Sequence, residues 1–395
     1  MIHAIAWVAA VFALVGAIQQ FIGTLLVERF AAQPEPPPPV ILPVSIMKPL
    51  CGVEPLTELA LESFFLIEYP VYQLVFGVQS AGDPVLEVLH RLRLRYPAHD
   101  VALVIDSTLH GSNRKVSNLI NMLERAKYDT LVMSDADIHV PPYFLSSVIS
   151  ALEHPKVGLV TTLYTALPGT LHQATLLGAN QINYSFLPGA LLARKLGRQD
   201  CLGVTMALSR DTLAEIGGLH ALVNHLADDQ VLGRLVRAKG YTLALAHIIP
   251  ATTVPEANFK ELYLHELRWA RTIRALVPLA YAGSVLQMSL VWALLCLLFS
   301  GGFWAAWLLF FAILLIRHGL ARRLDKALRL AKSGAAWTFL VRDLFSAVVY
   351  IASFCGNSVN WRGQQMQADP GKPPAAPIAP AGPTAPPATT PSPTA

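Results

Sequence analysis

The chain has 395 residues, of which 53% are hydrophobic and only 14% are charged, and its mean hydropathy is +0.45. These values exclude an ordinary soluble protein, in which about a quarter of the residues are charged, and they predict a domain combined with membrane segments. The formal net charge of +4 is small and spread along the chain, so it gives no sign of nucleic-acid binding. The 4 cysteines lie far apart without C-x-x-C spacing, which argues against a zinc site or a disulfide framework.

The N-terminal segment is apolar over residues 2–27 and is long enough to cross a hydrocarbon core about 30 Å thick. A secretory signal is the alternative, but the segment lacks a basic start and its apolar run is longer than a typical signal core. We therefore predict a transmembrane anchor over residues 1–30. The proline run that follows makes residues 31–43 a stiff, extended linker between membrane and domain.

Residues 44–276 alternate between short β-like runs and helical patterns. Strands are predicted over residues 44–48, 74–78, 101–105, 130–134 and 157–162, and helices over residues 56–66, 84–96, 114–126 and 143–152. This alternation predicts an α/β fold with a mostly parallel sheet that is covered on both faces. Further helices are predicted over residues 227–239 and 259–276. The weakly polar stretch 172–197 fits either an interfacial helix or helix pair against lipid, or an ordinary buried helix.

Apolar runs return after residue 277. Residues 279–299 and 303–316 predict a helical hairpin within the bilayer, and the basic clusters on either side of it place those flanks in the cytoplasm. Residues 335–354 contain the adjacent charges Arg342-Asp343, which a bundle interior or an interface tolerates, so crossing and re-entry both remain open. We assign residues 277–363 to membrane helices and interpret residues 364–395, rich in Pro, Ala and Thr, as a disordered tail.

Two carboxylates end the predicted strand 130–134. Asp135 and Asp137 lie one residue apart, at the sheet edge where open α/β sheets bind their ligands. They could hold a hard divalent cation that grips a diphosphate, and the alternative is a turn in which Asp137 bonds nearby backbone N–H groups. Lys48 and Asp83 also follow strands, so we expect them to approach the same edge.

The other polar candidates each have two interpretations. Asp83 could hydrogen-bond a nucleobase or cap the helix that starts at Pro84. Lys115, with its neighbour Arg114, could face phosphates or be an ordinary exposed residue. Asp229, in the pair Asp228-Asp229, could be a general base or a favourable charge at a helix start.

A final group lies just before the membrane helices. His265 and Arg268 are three residues apart and share a helix face. Arg268 could bind a diphosphate bidentately, and Trp269 could stack on a sugar or anchor at the interface. As isolated residues they would more often form an aromatic belt with a positive flank.

The order of these residues resembles a known signature. Asp83, Asp135-x-Asp137, Asp229 and His265-x-x-Arg268-Trp269 are similar to the D, D-x-D, D, (Q/R)-x-x-R-W pattern of processive-type and ceramide-glucosyltransferase-like enzymes. Within that group the chain resembles the hopanoid-biosynthesis-associated glycosyltransferases over residues 44–363, and His265 in place of Gln or Arg fits that branch. The segments that carry this closer resemblance are Lys48-Pro49-Leu50-Cys51-Gly52, Ser63-Phe64-Phe65, Tyr69-Pro70, Gly111-Ser112-Asn113-Arg114-Lys115-Val116-Ser117-Asn118-Leu119, His265-Glu266-Leu267-Arg268-Trp269 and Trp361-Arg362-Gly363.

The resemblance implies a nucleotide-sugar glycosyltransferase domain of the GT-A type in residues 44–276. Asp83 would contact the uridine of a UDP-sugar, and Asp135 and Asp137 would hold Mg²⁺ or Mn²⁺ on its diphosphate. Asp229 would be the general base of an inverting transfer. The remaining residues expected at the site are Lys48 and Lys115 on the donor side, and Arg268, Trp269 and His265 in catalysis.

The implied acceptor is a lipid in the bacterial inner membrane, with the catalytic domain facing the cytoplasm of a multi-pass protein. The first expectation is transfer of N-acetylglucosamine from its UDP donor to a hopanoid such as bacteriohopanetetrol. Glucosylation of ceramide from UDP-glucose is the second. A catalytically silent membrane scaffold is an alternative of a different class, although every acidic position of the signature is present in the chain.

Overall fold

The computed structural model describes residues 2–33, 40–332, 334–361 and 364–367. The first helix, α1, spans Ile2–Ala31, where the sequence predicts a membrane segment. The proline run of the predicted linker and most of the predicted tail lie outside the described residues.

Residues 44–276 form a domain of alternating strands and helices, and the strands and helices predicted for residues 44–162 are present with small shifts at their ends. Its elements are β1 (Val44–Pro49), α2 (Thr57–Phe65), β2 (Tyr72–Val78), α3 (Val85–Arg95), β3 (Val101–Ile105), α4 (Arg114–Leu123), β4 (Thr130–Ser134), β5 (Ile138–His139), α5 (Phe144–Leu152), β6 (Val157–Thr161), β7 (Thr165–Pro168), α6 (Gln173–Gln181), α7 (Leu187–Lys195), β8 (Thr205–Ser209), α8 (Arg210–Glu215), α9 (Asp228–Ala238), β9 (Thr242–Leu245), β10 (Ala251–Val254) and α10 (Phe259–Leu276).

The main sheet has seven strands in the order β3-β2-β1-β4-β8-β6-β9. β1 runs parallel to β2 and β4, whereas β8 runs antiparallel to both β4 and β6. The prediction of a mostly parallel α/β sheet is therefore confirmed, with one reversed strand that the sequence pattern did not reveal. The carboxyl ends of β1 and β4 lie side by side, which brings the residues that follow them to one edge.

The strands bury both faces, as a sheet covered by two layers requires. Along β1, Ile46 packs on one side with Phe64 of α2, and the next residue, Met47, packs on the other side with Val116 of α4. Because successive side chains of a strand point to opposite faces, these neighbours contribute to two separate cores. The continuous apolar runs read from the sequence thus mark strands buried on both sides.

A smaller sheet of three strands, β5-β10-β7, lies beside the main one. β10 pairs antiparallel with β5, so that Thr252 faces Ile138, and parallel with β7. This sheet was not predicted. It matters for function because β5 begins directly after Asp137.

The C-terminal part is helical. Its elements are α11 (Pro278–Gly283), a 3-10 turn (Ser284–Gln287), α12 (Ser289–Phe299), α13 (Trp304–Leu328), α14 (Trp337–Ser353), β11 (Ser358–Trp361) and β12 (Gln364–Gln367). α1 and α13 are long and apolar enough to cross a membrane, and the pair formed by residues 278–287 and α12 is bent by 63°. The predicted span 279–299 is therefore a broken segment rather than a straight helix, and α13 continues well past the predicted end at residue 316.

α14 has 17 residues and is not among the described helices that are long and apolar enough to span. Its two adjacent charges are buried and point to different helices rather than to each other. Arg342 binds Glu266 of α10 through two contacts of 2.7 Å, while Asp343 binds Arg317 of α13 at 2.9 Å. The buried face of α14 therefore packs between α10 of the α/β domain and α13 of the C-terminal helices.

The structure favours one of the two alternatives predicted for residues 172–197, and it differs from the prediction at the start of the C-terminal tail. The stretch 172–197 is a continuous helical run in which α6 and α7 flank a π-helical turn at Ile182–Phe186, and residues such as Thr175 and Leu187 are fully buried. The predicted disordered tail begins with four residues that form β12, which pairs antiparallel with β11. The buried-helix alternative for residues 172–197 thus fits the structure, and the tail prediction is wrong for residues 364–367.

Candidate active site

The turn after β4 carries the two carboxylates predicted to hold a metal. The main-chain oxygen of Asp135 accepts a hydrogen bond of 2.7 Å from the ammonium of Lys48. The carboxylate of Asp137 accepts a short hydrogen bond from the hydroxyl of Thr252 on β10, and its main-chain oxygen accepts one of 3.1 Å from Thr253. The turn is therefore fixed from both sheets, which orients the two carboxylates before any ligand binds.

The surroundings of Asp137 raise the pKa of its carboxyl group. Loss of hydration, followed by the repulsion of the nearby Asp135 carboxylate, raises the pKa of Asp137 to about 6. A divalent cation at this turn would stabilise the ionised form, because metal ligands must be deprotonated. The negative charge of Asp135, which raises the pKa of Asp137, thus also favours the binding of a cation at this turn.

Lys48 approaches the turn after β4, as the sequence predicted, but from its buried side. Its side chain is completely buried, and its ammonium lies 3.6 Å from the ring centroid of Phe64. Burial lowers the pKa of Lys48 to about 7, although the neighbouring carboxylates oppose that shift. Lys48 therefore supports the turn from its buried side and has no exposed atom, and its role as a donor contact stays a prediction.

Lys115 lies among the acidic residues. Its ammonium is 2.6 Å from a carboxylate oxygen of Asp135 and 3.6 Å from one of Asp228. Burial alone would lower the pKa of Lys115, but the negative charges of Asp135 and Asp228 outweigh it and raise that pKa overall. Lys115 is thus a fixed positive charge that holds two carboxylates together at the edge of the site.

Asp229 is a partly buried acid at the start of α9, next to the buried Asp228. Its carboxylate accepts a hydrogen bond of 2.8 Å from the amide of Gln230. Burial and the charge of Asp228 raise the pKa of Asp229 to about 7. A Cβ on Gly203 would lie 3.0 Å from its carboxylate, so glycine at that position lets the segment before β8 approach the acid closely. A carboxyl group with this acidity can take up a proton near neutral pH.

The carboxylates act on one common neighbour. Burial, followed by the charges of Asp229, Asp137 and Asp135, raises the pKa of Tyr164. Tyr164 in turn contacts Phe186, whose ring centroid is 4.8 Å away. Tyr164 is therefore within the electrostatic influence of both carboxylates of the turn after β4 and of Asp229 on α9.

Asp83 is held by backbone amides. Its carboxylate accepts hydrogen bonds of 3.0 and 2.9 Å from the amide of Gly52 and one of 3.0 Å from that of Val85. The capping interpretation is thus realised at the start of α3, with the addition that Asp83 ties this helix to the segment after β1. Its contact with a nucleobase stays a prediction.

α10 carries the remaining candidates. The imidazole of His265 forms a short hydrogen bond with Glu256, and its ring centroid lies 4.3 Å from that of Trp269. Trp269 packs against the small cluster that includes Tyr164 and Phe186, while Arg268 contributes to the electrostatics of Glu256. α10 therefore reaches the neighbourhood of Tyr164, and Glu256 is a site residue that sequence reasoning missed.

The donor set fits a hard cation that is shared with a ligand. Among the described residues, no group of three or more His, Cys, Asp or Glu side chains could hold a metal ion by itself. Mg²⁺ in nucleotide sites is commonly held by one or two carboxylates together with substrate phosphates and water. Asp135 and Asp137 match that arrangement, and no sulfur or imidazole ligand is required.

Comparison with known proteins identifies the family of the chain. The sequence model of glycosyl transferase family 21 matches residues 8–373. The chain belongs to this family. Ceramide glucosyltransferase 3 of Caenorhabditis elegans is 25% identical over 249 residues, which cover 60% of the chain and 51% of that relative. Ceramide glucosyltransferase of Komagataella phaffii is 34% identical over 122 residues, which cover 30% of the chain and 24% of the relative. The chain thus spans about half the length of the first of these relatives.

A solved structure supports the fold of this family 21 chain. A mannosyltransferase from Pyrobaculum calidifontis, in complex with GDP-Man and Mn²⁺, aligns with a TM-score of 0.51 at 17% identity and covers 89% of the chain and 99% of its own. The predicted glycosyltransferase fold of the GT-A type is confirmed, as is the prediction of a ceramide-glucosyltransferase-like family. The assignment to the hopanoid branch stays a prediction.

Proposed function

We propose that this family 21 chain is a membrane-bound, inverting hexosyltransferase that moves a sugar from a UDP-sugar to a hydroxyl group of a lipid. The observation that carries the proposal is the ammonium of Lys115, which lies 2.6 Å from the carboxylate of Asp135 and 3.6 Å from that of Asp228, so the turn after β4 lies beside the start of α9 where Asp229 stands. The relatives named ceramide glucosyltransferases support a lipid acceptor. The apolar helices α1 and α13 support a membrane location.

In this mechanism Asp229 removes the proton from the acceptor hydroxyl, whose oxygen attacks the anomeric carbon. The bond to the nucleoside diphosphate breaks on the opposite face, so the product has inverted configuration. Arg268 binds the diphosphate as its negative charge grows. A divalent cation held by Asp135 and Asp137, Mg²⁺ or Mn²⁺, would neutralise the same charge, and the solved relative with Mn²⁺ and GDP-Man supports this combination.

The first proposed reaction is transfer of N-acetylglucosamine to a hopanoid such as bacteriohopanetetrol, at the cytoplasmic face of the bacterial inner membrane. Glucosylation of ceramide is the second candidate, and the named relatives favour it. Membranes that contain the full chain should be incubated with labelled UDP-glucose or UDP-N-acetylglucosamine and with each lipid. The hopanoid proposal expects a labelled hopanoid, whereas absence of transfer in every combination would identify a silent scaffold.

Removing the carboxylate of Asp137 should abolish metal-dependent donor binding. In the Asp137→Ala variant, the affinity for a UDP-sugar measured calorimetrically with Mn²⁺ should fall to the value that the wild type shows with EDTA, because the cation loses one of its two protein ligands. Asp129→Ala is the matched control, since that carboxylate is 95% exposed and lies before the same strand. Wild-type activity that persists unchanged in EDTA would refute the metal site.

Activity should have an acidic limb near neutral pH. The pKa of Asp229 is raised to about 7, so the base is protonated below that pH and kcat should fall by up to about tenfold per pH unit. Above pH 7 the carboxylate is ionised, and kcat should reach a plateau. The check is kcat at saturating substrates between pH 5 and 9, and a limb close to the ordinary pKa of aspartate, about 4, would contradict the assignment.

A further inference from the structure

Glu256 is a buried acid to which neither the resemblance nor the proposed mechanism gives a role. It lies two residues after β10 and is only 7% exposed. Its carboxylate binds the Nδ1 atom of His265 on α10. A carboxylate that is this deeply buried needs a partner, and the imidazole of His265 supplies one.

The ionisation state of the Glu256 carboxyl group determines which atom of the Glu256–His265 hydrogen bond carries the proton. Burial favours the neutral acid, but the hydrogen bond from His265 and its charge outweigh burial, so the pKa of Glu256 is lowered. At neutral pH the carboxylate is therefore ionised and acts only as an acceptor. Nδ1 of His265 must then be the protonated nitrogen, which leaves Nε2 as the atom that a ligand can reach.

The geometry directs that second nitrogen outward. The side chain of His265 is 29% exposed, whereas that of Glu256 is 8% exposed. The face of the imidazole is limited by the ring of Trp269, whose centroid lies 4.3 Å away in an edge arrangement. With Nδ1 bonded to the buried Glu256 and one side of the ring packed on Trp269, Nε2 is the ring nitrogen that remains for a ligand.

The same stretch of chain reaches the metal-binding turn. Thr252 on β10 donates a hydrogen bond to the carboxylate of Asp137. At the other end, the main-chain oxygen of Glu256 accepts a buried hydrogen bond of 2.7 Å from Thr175 of α6. Residues 252–256 therefore connect Asp137 to His265 through a segment that is fixed at both ends, so the positions of the two side chains are linked.

We propose that Glu256 is a positioning residue that holds His265 in one tautomer and one orientation, with Nε2 presented to the substrate between the metal-binding turn and Arg268. His265 and Arg268 lie three residues apart on α10 and face the same side of the helix. With the proton on Nδ1, Nε2 is a hydrogen-bond acceptor, so the ligand group that fits it is a hydroxyl group of the donor sugar. This inference rests on the proposed function, because it assumes that the donor binds at Asp135 and Asp137.

The kinetic test is a double-mutant cycle in the full-length, membrane-embedded protein. Glu256→Ala should lower kcat/KM for the UDP-sugar by about 10–100-fold, the usual effect of removing a group that orients a functional histidine. Glu256→Gln keeps an oxygen that accepts from Nδ1–H and should recover part of the loss. In a His265→Ala background, Glu256→Ala should cause no further loss, because its effect passes through the imidazole.

The control is Glu261→Gln, which changes an exposed carboxylate that caps the same helix and should leave kcat/KM within twofold. Equal losses for Glu256→Ala with and without His265 would overturn the proposal, since Glu256 would then act independently of the imidazole. An unchanged kcat/KM in Glu256→Ala would overturn it as well.

A second measurement does not need transferase activity. Nitrogen NMR of protein labelled at histidine reports the tautomer of each ring, and the His265 signal is identified by its loss in His265→Gln. The wild type should show the Nδ1–H form, and Glu256→Ala should change the signal. A wild-type ring protonated only on Nε2 would refute the inference even if transfer is observed. The expected tautomer combined with absence of transfer would instead refute the proposed function.

Discussion

Replacing Asp229 by asparagine is expected to lower kcat by about 10²–10⁴-fold, the usual contribution of a positioned general base. Asparagine has nearly the same shape and keeps an oxygen for the hydrogen bond from the Gln230 amide, but it does not take up a proton. The affinity for the UDP-sugar should stay within a few-fold of the wild type, because the proposed donor contacts are the turn after β4 and Arg268. Single-turnover rates and calorimetric donor affinities measure the two effects separately.

Asp211→Asn provides the matched control, since Asp211 lies in the first turn of α8 and is exposed. It should leave both the rate and the donor affinity unchanged. Loss of UDP-sugar binding in Asp229→Asn would place Asp229 among the residues that hold the donor or the metal. A rate close to that of the wild type would remove Asp229 from the role of base.

Truncating Arg342 to alanine should be the most destabilising single change between the domain and the membrane helices. Its guanidinium makes two hydrogen bonds of 2.7 Å to the carboxylate of Glu266 and is 1% exposed. Removing it leaves Glu266 buried and unpaired, which costs about 3–5 kcal/mol. We expect a clear drop in the thermal midpoint of the detergent-solubilised protein, and a loss of activity because Glu266 is adjacent to His265 on α10.

Two variants separate charge from packing. Arg342→Met combined with Glu266→Leu removes both charges and should be much less destabilising than Arg342→Ala alone, since no unpaired charge remains. Arg91→Ala breaks the exposed pair with Glu58 and should change stability by less than about 1 kcal/mol. If Arg342→Ala has an effect as small as that of Arg91→Ala, the buried pair does not hold the two parts together.

Some elements were predictable because local signals agree with the final structure. The helix Phe259–Leu276 was predicted with the same ends. Asn258 caps its first turn, because its side-chain oxygen accepts a hydrogen bond of 3.0 Å from the amide of Glu261. Pro278 follows the last residue of the helix closely. β3 was also predicted over the same residues. In both cases the pattern within the segment is sufficient to define it.

Other features depend on contacts between distant parts of the chain. β8 has the mixed sequence Thr-Met-Ala-Leu-Ser, and its strand character and reversed direction come from pairing with β4 and β6. The sequence likewise predicted that Lys48 would approach the turn after β4, but not that its ammonium would be enclosed behind that turn. Glu256 carried no local signal, because its importance arises from a bond to a residue on the next helix.

Helix α1 has a consequence for how the protein is made. Its face is closely fitted to later parts of the chain, since a Cβ on Gly16 would lie 2.2 Å from the main-chain oxygen of Leu286, and Gln20 donates a hydrogen bond of 2.6 Å to Gln287. These partners are synthesised more than 260 residues later, so the side chain of Gln20 gains this hydrogen bond only after the C-terminal helices have begun to form. Completion of the helical bundle is therefore delayed until α12 has been made, and a ribosome that stalls before α12 would leave a finished α/β domain attached to an incomplete helical bundle, a substrate for quality control.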